Sequence, residues 1–271
     1  MMSQARKAAA FADLHRRPEL FLLPNAWDAG SAKLLASLGF SAIATTSAGL
    51  AFSHGRKDGQ MSREETLANA GAIVSATELP VSADLENGFG DSPEACQATI
   101  RDAVGVGLAG GSIEDATGRP DQPIYEIGLA TERVRAAAET AKAAGFVLTA
   151  RAENFLHGIP DLDDTIRRLQ AFQQAGAEVL YAPGLVRLDQ IKSVLGSVDR
   201  PVNILATLAG QDFSIPDLAG LGVRRVSVGG SFARAAFGAL RRAALELRDE
   251  GRFSFAKEAM PYPELAAIFG K

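Results

Sequence analysis

Two acids and the loop behind them carry the strongest chemical signal in the chain. They lie in Val81-Ser82-Ala83-Asp84-Leu85-Glu86-Asn87-Gly88-Phe89-Gly90, which begins as an apolar run and ends as a glycine-rich loop. In an extended chain alternate residues share a side, so Asp84 and Glu86 would bring two carboxylates together. A hard divalent cation such as Mg²⁺ relieves their repulsion. Taken alone, such a pair also describes a solvated loop. Its company argues for more. Thr45-Thr46-Ser47-Ala48-Gly49, Glu114-Asp115, Arg151 with Glu153, and Asn203 each close another apolar run. Several acids gathered around one arginine suit a site for a metal and an anion.

The elements between these residues repeat. Short apolar runs at 21–24, 41–45, 81–84, 111–114, 146–151, 178–181, 202–205 and 225–228 read as strands. Helices are predicted over 5–14, 29–38, 62–77, 93–106, 126–144, 161–175, 188–195, 215–221, 232–250 and 263–269. Asp28 can cap one of them, Ser62 with Glu65 forms a capping box, and Ser92-Pro93 opens another. Leu38-Gly39-Phe40, Ala144-Gly145-Phe146, Ala175-Gly176-Ala177 and Leu221-Gly222-Val223 each set a glycine where a helix stops and a strand starts. Strand-then-helix units of roughly 25 to 35 residues are βα repeats. Eight of them imply a (β/α)₈ barrel, whose chemistry belongs at the C-terminal strand ends. A doubly wound sheet fits less well, because no glycine-rich phosphate fingerprint is present. Residues 1–271 read as one barrel domain, with 252–271 as a C-terminal arm and helix.

Composition excludes several classes. A 271-residue chain with 47% hydrophobic and 22% charged residues and a net charge of -4 is ordinary for a globular protein and gives no basic surface for nucleic acid. Cys96, the one cysteine, sits within a predicted helix and reads as a packing residue, so no disulfide framework or cysteine-based zinc site is expected. No apolar run suits a signal peptide or a membrane span, and a cytoplasmic protein without a membrane partner is expected.

On these motifs the chain resembles the isocitrate lyase/phosphoenolpyruvate mutase superfamily, from about Leu23 to Phe269. Ser47-Ala48-Gly49 stands where that family has a carboxylate-binding turn after strand two. Asp84-Leu85-Glu86-Asn87-Gly88-Phe89-Gly90 matches its metal segment, Ile113-Glu114-Asp115 its Ile-Glu-Asp, and Ala150-Arg151 its Ala-Arg strand end. Asp58, in Lys57-Asp58-Gly59, corresponds to a further loop aspartate, and Asn203 to an asparagine on strand seven.

The resemblance implies a Mg²⁺-dependent enzyme, with Mn²⁺ as the other oxygen-loving candidate, that acts on a small 2-oxo acid through a pyruvate enolate. It implies that Asp84 holds the metal directly, with Glu86 and Glu114 acting directly or through water. Thr46, Ser47, Ala48, Gly49 and Asn203 would contact substrate. Arg151 would offset charge on the enolate or leaving group, Glu114 would share in catalysis, and Asp58 would orient a metal water or the reacting group.

Departures from the family pattern narrow the chemistry. Ala116-Thr117-Gly118-Arg119-Pro120-Asp121-Gln122-Pro123 lacks the lid cysteine and histidine of the isocitrate-type lyases. Pro183 replaces a strand-six glutamate, Leu205-Ala206 replaces Thr-Glu, and Thr45 or Thr46 replaces an aromatic residue. An oxaloacetate-decarboxylase-like C–C lyase is therefore the leading expectation. A phosphonopyruvate hydrolase or mutase-type P–C enzyme is the alternative, and a non-catalytic 2-oxo-acid-binding protein is the alternative outside enzymes. His157, after strand five, is expected to touch the distal part of the substrate, whereas His15 reads as a surface helix residue. Terminal helices are exchanged between subunits in relatives, so a homodimer or homotetramer is expected.

Overall fold

The computed structural model describes residues 3–270. Its parallel sheet runs in the order β1-β11-β10-β9-β8-β5-β4-β3-β2, where β1 is Phe21–Leu23, β2 Asn25–Ala26, β3 Ile43–Thr45, β4 Val81–Asp84, β5 Gly110–Glu114, β8 Val147–Arg151, β9 Val179–Tyr181, β10 Val202–Leu205 and β11 Arg225–Ser227. The two ends of that order are one chain segment interrupted at Pro24, which has no N–H to give to a ladder. Phe21–Leu23 pairs with β11 and Asn25–Ala26 with β3. The barrel closes through this split strand, and the expected (β/α)₈ architecture is observed.

Helices α2 (Ala29–Ser37), α4 (Arg63–Ala76), α5 (Pro93–Gly105), α6 (Ile127–Ala144), α7 (Leu162–Gln174), α8 (Leu188–Leu195) and α9 (Ile215–Gly220) alternate with the strands. Local chemistry sets their ends. Asp28 and Ser62 make capping boxes, Ser92 caps α5, and Gly145 ends α6 in the left-handed conformation at φ 65°. Outward strand residues such as Val81, Ala83, Ile113, Leu148, Ala150, Leu180, Ile204 and Val226 are buried against the helices.

The inward residues differ from the uniformly apolar strands expected. Ser82, Asp84, Ser112, Arg151, Tyr181, Asn203, Arg225 and Ser227 line a central cavity. The strands are thus apolar outside and polar inside, with the period of two that a pleat imposes.

Below the cavity, α1 (Gln4–Arg16) lies across the N-terminal strand ends. Phe11 packs with Ala42, Ala109, Val147 and Val179 in a second apolar cluster. His15 is not on the surface: it is buried, edge-on to both Phe11 and Phe21.

Three further elements were absent from the sequence reading. Ser47–Ser53, expected as a turn, is a short helix, α3, capped by Thr46. Residues at the lid position form a hairpin of β6 (Ala116–Arg119) and β7 (Gln122–Ile124). The last predicted long helix divides into α10 (Ser231–Leu245) and a π-helical turn, Glu246–Glu250. A final helix, α11 (Tyr262–Phe269), lies against α2, where Lys33 Nζ donates to the Phe269 carbonyl at 3.0 Å. No helix among the described residues is long and apolar enough to cross a membrane.

Candidate active site

The C-terminal strand ends open onto two joined chambers of about 180 and 460 Å³ that share Ser47, Asp58, Arg151 and Leu156. Arg151, at the end of β8, is their hub. Its Nη1 lies 3.1 Å from Asp84 Oδ1, Nη2 3.2 Å from Glu114 Oε2, and Nε 2.8 Å from Glu153 Oε1. The plane of a guanidinium lets one side chain serve three carboxylates. The ring of Tyr181 lies beneath it, 5.1 Å away. The acids and the arginine expected to share one mouth do meet there.

Asp84 ends β4, and its carboxylate collects nearby donors. Oδ1 also accepts from Glu86 N at 3.3 Å, and Oδ2 from Ser47 N at 3.3 Å. Glu86 does not continue the strand. At φ 47° it is in the left-handed region, as is Phe89 at 58°, so the two acids do not meet through strand alternation. The turn swings Glu86 into the outer chamber while Asp84 lines the inner one.

Non-glycine residues held at positive φ need outside support. Arg133, fully buried on α6, supplies it by donating to the carbonyls of Asn87 and Gly90. Its guanidinium stacks 4.2 Å over Tyr125, whose hydroxyl donates to Asp91 at 2.6 Å. Gly88 is required here because a Cβ would meet Cys96 Sγ at 2.9 Å. Cys96 itself is a buried packing residue, as expected.

The electrostatics favour an added cation. Burial, then Asp84 and Asp58, push Glu86 up to about 8, and its buried Oε1 has no hydrogen-bond partner. Burial also drives Glu114 well above the carboxylate range, despite Arg151. Asp58 sits on an exposed turn, yet its carboxyl lines both chambers. Burial of that carboxyl and the charge of Asp84 raise its pKa. Carboxyls forced toward the neutral form, one with an orphaned oxygen, fit a hard cation ligated by oxygen. Among the described residues no three acid, histidine or cysteine side chains converge on one point. An ion such as Mg²⁺ keeps several waters and does not require such a cluster.

The other expected residues lie around this centre. Thr46 caps α3 through its hydroxyl, which accepts from Gly49 N at 3.3 Å, and Ser47 and Ala48 line the inner chamber. Gly49 is fixed by packing: a Cβ would stand 2.7 Å from Thr46 Cγ2 and 2.8 Å from Trp27 Cβ. Asn203 is buried on the inner wall. His157 borders the outer chamber, its Nε2 4.0 Å from Glu153 Oε2. Behind Glu153, Asp115 accepts from its N–H at 2.8 Å and pairs with Arg168 at 3.0 Å, while burial raises Asp115 to about 6.

Tyr181, Arg225, Ser227 and Asn25 also line the cavity and were missed from the sequence. The inward alternation in Arg225-Val226-Ser227 was the available signal.

An acid-rich mouth around one arginine thus stands at the C-terminal strand ends, where barrels of this kind carry their chemistry. Residues 11–248 match the family model described as phosphoenolpyruvate phosphomutase, and the chain belongs to that family. Its members include lyases, mutases and hydrolases. A Burkholderia cenocepacia J2315 protein, solved under a provisional lyase/mutase description, is 53% identical, with 99% of this chain and 97% of that one covered and a TM-score of 0.96. The phosphonopyruvate hydrolase solved with oxalate and Mg²⁺ is 26% identical, with 99% and 95% covered and a TM-score of 0.88. Oxaloacetate decarboxylase of Pseudomonas entomophila (strain L48) is 26% identical over 225 residues, 80% of this chain and 76% of that protein.

Proposed function

We propose that this protein is a Mg²⁺-dependent lyase that breaks a C–C bond next to a 2-oxo acid, with oxaloacetate decarboxylation as the leading reaction. The observation that carries this reading is Arg151, bound by Asp84, Glu114 and Glu153 and lining the same chamber as Glu86, whose Oε1 is buried without a partner. Asp84 would hold the ion, with Glu86 and Glu114 engaging it directly or through its waters, and Mn²⁺ would suit the same oxygens. Bound there, the ion would supply Lewis acidity toward the 2-oxo group.

The remaining work falls to the protein. The first turn of α3, at Ser47, Ala48 and Gly49 behind Thr46, would hold the substrate carboxylate, with the Ala48 N–H as its donor. The N–H groups of Ser47 and Gly49 stay on Asp84 Oδ2 and the Thr46 hydroxyl, and Asn203 would contact the carboxylate from across the cavity. As the C3–C4 bond breaks, its electron pair moves toward the C2 carbonyl and CO₂ departs. Arg151 offsets the negative charge that develops, and C3 then takes a proton to give pyruvate. The hairpin over the mouth brings no cysteine or histidine, and loss of CO₂ needs no acid at the leaving end. His157 faces the distal part of the substrate, and Asp58 orients a water or the reacting group. Likeness to phosphonopyruvate hydrolase supports P–C cleavage as the second reading.

The test is Mg²⁺-dependent pyruvate formation from oxaloacetate, with the metal-only background subtracted. Turnover abolished by EDTA, and lost in Asp84→Ala and Arg151→Ala, is expected. Turnover from phosphonopyruvate alone would transfer the assignment to P–C cleavage. Binding of 2-oxo acids without turnover of either substrate would make the protein a binder.

A further inference from the structure

Arg225 lies on the inner wall of the barrel, 3% exposed, at the first position of β11. Every group it donates to is neutral. Nε reaches Asn203 Oδ1 at 2.9 Å, Nη2 reaches Thr149 Oγ1 at 3.1 Å, and Nη1 reaches His15 Nε2 at 3.2 Å. The histidine contact is a true acceptor contact. His15 Nδ1 lies 2.8 Å from the Phe11 carbonyl, which can only accept, so Nδ1 carries the proton and Nε2 the lone pair. Burial, then the charge of Arg225, hold His15 down to about 3 and keep it neutral. No carboxylate among the described residues pairs with Arg225.

A buried cation without a counter-charge is costly unless an anion joins it. Arg225 lines the same inner chamber as Ser47, Asp84 and Arg151. It also fixes a neighbour. A guanidinium only donates, so Asn203 must turn its Oδ1 toward Arg225 and its Nδ2 away, to Ser227 Oγ at 2.9 Å. The second hydrogen of Nδ2 is left for a ligand. A reversed amide would set an acceptor there and repel a carboxylate.

We propose that Arg225 is a positioning residue for the 2-oxo acid: from within the barrel it locks Asn203 in its donor orientation and sets an uncompensated positive charge beneath the bound anion. The inference rests on the reading of the cavity as a 2-oxo-acid site. It adds a determinant contributed by the strand interior, one that touches no reacting atom.

The test is calorimetric binding of oxalate and of oxamate in the presence of Mg²⁺. Oxalate is a planar dianion shaped like the enolate, and oxamate is its singly charged amide. Wild type is expected to bind oxalate; failure to bind either probe would overturn the 2-oxo-acid reading, and this proposal with it. With wild-type binding in hand, Arg225→Met should weaken oxalate about 10- to 100-fold and oxamate clearly less, and should raise KM with kcat changed less than about threefold. Arg225→Lys keeps the charge and loses the forked bonds, so it should recover part of the oxalate affinity. Should Arg225→Met fail to fold, a rise in the oxalate Kd of Arg225→Lys of about fivefold or more carries the expectation. Oxalate binding unchanged in the folded variants would make Arg225 a structural residue only, and equal losses for both probes would overturn the role of its charge.

Discussion

Arg151 Nη1 stands 3.1 Å from Asp84 Oδ1, so a Mg²⁺ ion held by Asp84, as proposed, would compete with the guanidinium for one carboxylate. This gives the two residues opposite effects on metal binding. Arg151→Met should bind Mg²⁺ more tightly than wild type while losing turnover by about 10²- to 10³-fold. Asp84→Asn should lose both. Calorimetric Mg²⁺ titration beside steady-state rates reads this directly, and weaker Mg²⁺ binding by Arg151→Met would contradict it.

Glu86, held at about 8 by burial, Asp84 and Asp58, must release its proton when a cation arrives. Mg²⁺ affinity should therefore rise between pH 6 and 9. Without metal the sign for stability is reversed. A carboxyl raised above its usual 4.5 contributes stability that is complete below that value and is lost as the pH climbs through about 8. Metal-free wild type should lose melting temperature over that window relative to Glu86→Gln, and Mg²⁺ should restore it. Parallel melting profiles of the two proteins would refute the assignment.

Arg133 bridges α6 to the Asn87 and Gly90 carbonyls and stacks on Tyr125. Its truncation to Ala strips two charge-assisted hydrogen bonds, leaves buried carbonyls unpaired, and should cost about 3 kcal/mol in urea denaturation. Because the same loop carries Glu86, Mg²⁺ affinity should fall as well. A variant as stable as wild type would show that the left-handed turn supports itself.

Helix α10 buries only Ala233, while Phe232, Phe237 and Leu240 along it, and Leu247 in the turn that follows, stay exposed. We expect a homodimer or homotetramer that covers this face, with the terminal helices taking part. Light scattering at micromolar concentration checks the state. Phe237→Asp with Leu240→Asp should reduce the mass toward one chain, and a monomeric wild type would remove the expectation.

Much of this was legible from residue types. Glycines such as Gly145, caps such as Ser62 and the recurrent βα spacing specify a barrel because they act over a few residues. The acids and Arg151 could be gathered because barrel strand ends converge. What escaped reading depended on contacts remote in sequence. Glu86 turns left-handed because Arg133 holds its loop from 46 residues beyond Asn87. His15 is buried because α1 folds under a barrel whose last strand lies 210 residues away. Ser47–Ser53 is helical through a cap by Thr46, in a stretch too short for periodicity to register.

Helix α1, lying under the strands with Phe11 at its centre, makes the barrel a cup with a single rim. Any ligand of the cavity would pass the same edge, where the Ala116–Ile124 hairpin borders the outer chamber. Asn203 and Arg225 are accordingly reached from above, past the Ser47, Asp58 and Arg151 that the two chambers share.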